Sequence, residues 1–181
     1  MSAGDRSAAR RYAEAVFELA VSENRLDEWD DDLALLAGVF SDAATMSWLA
    51  NPRTPAAQKD ALIQRGLASL SDQARNLARL LVTRSRAELA PSILEAYELR
   101  LDEARGIAHA LVTTAVPLTD QDRAAVEGRL TGMTGRDVKM ETSIDPSIIG
   151  GIVVRIGDKL IDGSTRARLV ELKRRLAGAG R

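Results

Sequence analysis

Cysteine is absent from the 181-residue chain, and histidine occurs once, as His109. The first absence excludes disulfide frameworks, thiolate zinc sites, iron–sulfur clusters and thiol nucleophiles. The second excludes any site that needs two imidazoles. Aromatic residues make up 3% of the chain, so it has no row of stacking rings for single-stranded nucleic acid. The longest apolar stretch, Ile144 to Val154, is interrupted by Asp145, Pro146 and a glycine pair. Nothing reaches the ~18 apolar residues of a membrane helix. Gly150-Gly151 and Gly157 lack the spacing and the following helix of a phosphate-binding loop, and read instead as a bulge or close approach and a hairpin turn. A formal net charge of −1 argues against a protein that coats nucleic acid.

What is present is enough to fold. Hydrophobic residues make up 45% of the chain, and a chain of this length buries roughly 70% of its unfolded surface. Composition breaks near residue 105. Residues 1–105 hold 21 Ala, 3 Gly and 9 Val, Ile or Thr, whereas residues 106–181 hold 8, 10 and 21. Alanine favours helix, β-branched residues favour strands and glycine marks turns. Formal charge changes as well, from −4 before the break to +3 after it. The pattern predicts an α+β protein, residues 1–105 forming a bundle of six helices and residues 106–181 a small mixed α/β domain. A single domain with a β-rich end is the alternative.

In the first part, apolar spacing predicts a helix from about Asp5 to Glu23 with two adjoining apolar stripes. A second follows from Leu26 with Leu33, Leu36, Ala37 and Phe40 inward. Asp42 caps a third, which carries Trp48 and ends before Asn51-Pro52. Thr54-Pro55 reads as capping hydroxyl and first helical proline of a fourth. Ser71 caps a fifth, with Leu77, Leu80 and Leu81 on one side and Arg75 and Arg79 outward. Pro91 opens a sixth with Leu94, Tyr97, Leu101 and Ala104. In the second part, His109–Val116 reads as a strand, and Thr119 starts a helix that Gly132 and Gly135 break. Asp137–Ile144 is a second strand. Ile152–Ile156 and Lys159–Ile161 form a hairpin about Gly157-Asp158. Ser164 caps a last helix whose Leu169, Leu172 and Leu176 are expected to cover that hairpin.

Chemistry is sparse. Asp27, Glu28, Asp30, Asp31 and Asp32 lie in the first turns of a helix, where acids complement the dipole, and need no cation. His109 opens an apolar strand and reads as structural. Hence no catalytic residue, cofactor or metal is expected. Ser164–Arg181 carries six Arg or Lys against Glu171. Such a helix suits solvent or an acidic protein, and a free-standing adaptor or nucleic-acid binder using it stays open.

Certain residues point further. Arg11-Tyr12-Ala13-Glu14-Ala15-Val16-Phe17-Glu18-Leu19-Ala20 resembles the N-terminal signature of the delta subunit of F-type ATP synthase, called OSCP in mitochondria. Asn51-Pro52 with Lys59, and Asn76-Leu77 with Leu80-Leu81 and Arg86, are similar to later landmarks of that family. The run Asp145-Pro146 through Gly163-Ser164, followed by Arg168-Leu169, resembles its C-terminal signature almost residue for residue. The resemblance implies a non-catalytic stator subunit, present once per complex, that resists rotor torque during proton-driven ATP synthesis. The helical part would hold N-terminal segments of alpha subunits in the catalytic head, and the smaller part the C-terminal ends of the b-type stalk subunits, with no nucleic acid and only indirect contact with membrane. Together with the surplus apolar width, it implies a head-binding groove walled by Tyr12, Ala15, Val16 and Leu19 on one side and Leu77, Leu80 and Leu81 on the other. Ile152, Val154, Arg166, Leu169, Leu172 and Lys173 are the expected stalk surface. Arg11-Tyr12-Ala13 stands too near Met1 for a transit peptide ahead of it, which points to the cytoplasmic face of a bacterial plasma membrane.

Overall fold

Helix formers dominate up to residue 104, and the chain there folds as α1 (Ala3–Ser22), α2 (Leu26–Ser41), α3 (Ala43–Ala50), α4 (Ala56–Gly66), α5 (Asp72–Thr83), a 3-10 turn at Ala87–Leu89, and α6 (Ala90–Ala104). The computed structural model describes residues 3–51 and 53–178; Pro52 and the side chains at 3 and 176–178, Leu176 among them, lie outside what it describes. Polar caps set the breaks. The Asp42 carboxylate accepts from the Thr45 amide at 2.7 Å, and the Ser71 hydroxyl accepts from the Ala74 amide at 3.2 Å. At α4 the cap differs from expectation. Pro55 takes an extended ψ of 143° and is itself the N-cap, so the helix starts one residue later. The Thr54 hydroxyl donates instead to the Trp48 carbonyl at 3.3 Å.

The core of this helical part is one cluster, with Trp29, Leu33, Leu36 and Phe40 of α2 packed among Ala13, Val16 and Ala20 of α1, Ala74, Leu77, Ala78 and Leu81 of α5, and Ile93, Tyr97 and Leu101 of α6. Small alanines let backbones approach, and the few rings fill the remaining volume. Tyr97 is fully buried, yet its hydroxyl donates to the Leu26 carbonyl at 2.8 Å and its ring meets Phe17 edge-on at 5.8 Å. The Ser71 hydroxyl donates to Asp32 at 2.6 Å, which ties the turn before α5 to α2.

The chain divides into two compact units, Met1–Leu101 and Asp102–Arg181. The divide falls inside the last turn of α6, ahead of the composition break at 105, because Asp102 of that turn is bound by side chains of the sheet.

The second unit contains β1 (Ile107–Thr114), α7 (Asp120–Thr134), β2 (Asp137–Ile144), a 3-10 turn at Pro146–Ile148, β3 (Ile152–Ile156), β4 (Lys159–Asp162) and α8 (Thr165–Gly178). The strand order is β2-β1-β3-β4. β1 and β2 are parallel, a pairing that requires a crossover, and α7 supplies it. β1–β3 and β3–β4 are antiparallel. β1 starts two residues before the expected His109, because Gly106, at φ +76°, turns the chain out of α6 and pairing begins at Ile107↔Asp137. Gly132 stays within α7, since a helical glycine costs only about 1 kcal/mol. Gly135 alone, at φ +66°, ends that helix.

Register places Ala110, Val112, Val138 and Val154 on one sheet face, which α7 covers with Leu130 and the half-buried Val126. This overturns the expected cover from the C-terminal helix. The hydroxyl of Ser164 does cap α8, accepting from the Ala167 amide at 3.1 Å. Leu169 and Leu172 are nonetheless 52% and 53% exposed. The crossover helix already occupies the apolar face, so α8 has no apolar sheet face left to take.

A glycine pair anchors the root of α8. The Gly163 amide donates to Ile152 O and the Thr165 amide to Gly150 O, both at 2.9 Å. Gly151 stands at φ +76°, and a Cβ there would fall on the Gly163 carbonyl and 3.2 Å from Ser164 Cα. Gly151→Ala is therefore expected to destabilise the second unit by on the order of 2 kcal/mol. Urea unfolding followed by the His109 ring resonance checks this; an unshifted midpoint would contradict it.

Candidate partner-binding surfaces

On α1 the deeply buried residues are Ala9, Ala13, Val16 and Ala20, which at roughly 100° per residue form one arc. Beside that arc runs a second row at i, i+3, i+7: half-buried Tyr12, exposed Ala15, and Leu19, which is 47% exposed. Two hydrogen bonds set this side of α1 against α5, running the opposite way. Near one end the Gln73 side-chain amide donates to Glu23 at 2.6 Å, and near the other Arg86 donates to the Tyr12 hydroxyl at 3.4 Å. Leu80 lies on the same side of α5 as Gln73 and is 41% exposed. Tyr12, Ala15, Leu19 and Leu80 thus border one apolar strip. Val16, Leu77 and Leu81 are buried beneath it, so they support the strip and do not form its walls as expected.

In the second unit Arg166, Leu169, Leu172 and Lys173 of α8 are all exposed, and Ile152 is half-buried. Val154 is a correction to the expected stalk surface. It pairs with Val112 at the centre of the covered face and is 2% exposed, so it cannot touch a partner while the sheet is intact.

One charged cluster escaped the sequence. Asp102 is 5% exposed and accepts from Lys139 Nζ at 2.7 and 2.9 Å and from His109 Nε2 at 2.8 Å. His109 and Lys139 are register partners on β1 and β2, so both reach the same carboxylate. Burial pushes the Asp102 carboxyl up, but the hydrogen bonds and charges of Lys139 and His109 outweigh it, and its pKa lies below the usual carboxylate range. The only sequence signal was a lone histidine opening a strand.

Comparisons with known proteins decide the family. Residues 8–176 match the family model described as ATP synthase delta (OSCP) subunit. The chain is 37% identical over 169 residues to ATP synthase subunit delta of Dehalococcoides mccartyi, covering 93% of each chain. It is 38% identical over 170 residues to the subunit of that name from Thioalkalivibrio sulfidiphilus, covering 93% of this chain and 96% of that one. The chain belongs to the delta/OSCP family of F-type ATP synthase subunits. A subunit within the mitochondrial ATP synthase hexamer of Toxoplasma gondii shares its fold, with a TM-score of 0.63 at 19% identity over 93% of this chain and 97% of that one.

As a delta/OSCP family member the chain is a structural, non-catalytic, peripheral subunit of a membrane-bound complex. Within the acidic run, Glu28 accepts from Arg25 at 2.6 Å and Asp32 holds Ser71. Among the described residues no group of three or more acids or histidines is arranged to hold a metal ion. A cavity of about 100 Å³ lies between α3 and the 3-10 turn at Ala87, lined by Met46, Leu49, Val82 and Ala87.

The Asp102 cluster yields a pH prediction. Its folded pKa is depressed, so its stabilisation is present above the unfolded carboxylate pKa of about 3.9 and is lost as pH falls through the folded value. Asp102→Asn is expected to cost about 2 kcal/mol at pH 7, the range for hydrogen bonds to charged groups. The difference from wild type should shrink below about pH 4. Urea titrations at several pH values check it; a pH-independent difference would contradict the assignment.

Proposed function

We propose that the chain is the stator link of a bacterial F-type ATP synthase, one copy per complex, joining the catalytic head to the peripheral stalk at the cytoplasmic face of the plasma membrane. Its helical part acts as a six-helix bundle that receives the N-terminal helix of an alpha subunit. Its second part takes the C-terminal ends of the b-type subunits. The observation that carries this reading is the apolar strip bordered by Tyr12, Ala15, Leu19 and Leu80, which lies between two antiparallel helices and offers the kind of apolar surface on which a guest helix docks.

Mechanically, the assignment needs no active site. Rotation of the central shaft applies torque to the head, and the head turns uselessly unless it is tied to the membrane sector. Such a tie requires durable apolar contacts on two separate surfaces. Small Ala15 lets a guest helix approach closely, and the core beneath it keeps the strip rigid. In Ala15→Asp, a charge would be buried against the guest while the free chain keeps its fold, because Ala15 is exposed. Affinity for a synthetic alpha-subunit N-terminal peptide should fall at least tenfold, about 1.4 kcal/mol. Calorimetric titration measures it; unchanged affinity would remove the strip as the head site.

A further inference from the structure

The leucine row of α8 points away from its own unit. At roughly 100° per residue, Leu169 and Leu172 share one side of the helix, opposite half-buried Ala167 and Glu171, which face the unit. The stripe is narrow and bordered by cations on both sides, with Arg166 and Lys173 along one edge and Arg168 and Arg175 along the other. Glu171, the only acid of the helix, is turned away from the row and pairs with Arg174 at 2.8 Å and Arg175 at 2.9 Å. The root of α8 is fixed by the hydrogen bonds to Gly150 and Ile152, so the row is presented in a set direction.

A narrow leucine row flanked by one sign of charge is half of a two-helix seam. From this we infer that α8 docks, through Leu169 and Leu172, against one partner helix whose own leucine row is bordered by Asp and Glu. The inference rests on the proposed stalk role of this unit, and names the chemistry the stalk must present there. Charge complementarity selects the occupant, since a partner with cationic flanks would set like charges across the whole seam. A lipid surface fits less well. Interfacial helices carry a wide apolar face with bulky rings, whereas Leu169 and Leu172 form a narrow row edged by cations and α8 has no aromatic residue.

The test uses the full chain and two synthetic amphipathic peptides of about three heptads. Both have leucine at a and d; one has glutamate and the other lysine at e and g. The glutamate peptide should bind and the lysine peptide should not. Leu169→Asp with Leu172→Asp should weaken the glutamate peptide and a stalk fragment alike by at least a hundredfold, with the His109 resonance unmoved. Arg168→Ala should cost under about fivefold, as exposed charges do. Equal binding of both peptides, or binding to anionic vesicles with neither peptide bound, overturns the inference. A stalk fragment that binds the double variant as tightly as wild type overturns it too, and leaves the stalk role standing. Failure of the wild-type chain to bind that fragment removes the stalk role and the inference together.

Discussion

Apolar surface must leave water, and three helices of this chain, α1, α5 and α8, carry more of it than their own units cover. Each half-exposed leucine forgoes on the order of 1 kcal/mol relative to full burial. Leu19 and Leu80 in the first unit and Leu169 and Leu172 in the second are all in that condition. Leu19 lies in a row with Tyr12 and Ala15, Leu169 and Leu172 share one side of α8, and Leu80 lies on the side of α5 that carries Gln73. Rows of this kind gain their missing burial when a partner covers them. The family assignment, a structural and non-catalytic subunit, is consistent with the two partner surfaces proposed above.

The topology of the second unit explains why one seam is free. Parallel pairing of β1 with β2 demands a crossover, and the crossover helix α7 lands on the apolar face of the sheet. Once that face is filled, the next helix along the chain has nothing apolar to cover. The Gly150-Gly151 backbone then packs directly against Gly163 and Ser164, so α8 leaves the sheet from a fixed point. At the start of the unit, the Asp102 carboxylate gathers Lys139 and His109 from adjacent strands. These devices differ in kind, close backbone approach in one and charge in the other, yet both hold the ends of the sheet in place.

Local signals read correctly where the determinant is local. Asp42, Ser71, Thr119 and Ser164 each cap the helix that the sequence assigned to them, because a cap is decided within three residues. The hairpin at Gly157-Asp158 forms for the same reason. Depth was not legible. Val16 and Ala15 are neighbours in a motif, but one is core and the other surface, and periodicity fixes the stripe without fixing its edge. Leu77 and Leu81 likewise fall inside and Leu80 outside. The direction of the α8 leucines was misread because a stripe shows that burial is needed, not what supplies it. Asp102 gave no signal, since its partners come from strands 7 and 37 residues away.

The proposed function assigns two surfaces of the chain to two different neighbours. The most direct measurement is site-specific photo-crosslinking within the assembled, membrane-bound complex, with the reactive group placed at Leu19 in one variant and at Leu172 in another. The account predicts capture of an alpha subunit from position 19 and of a stalk subunit from position 172, with no exchange between them. Capture of the same subunit from both positions, or of neither, would contradict it.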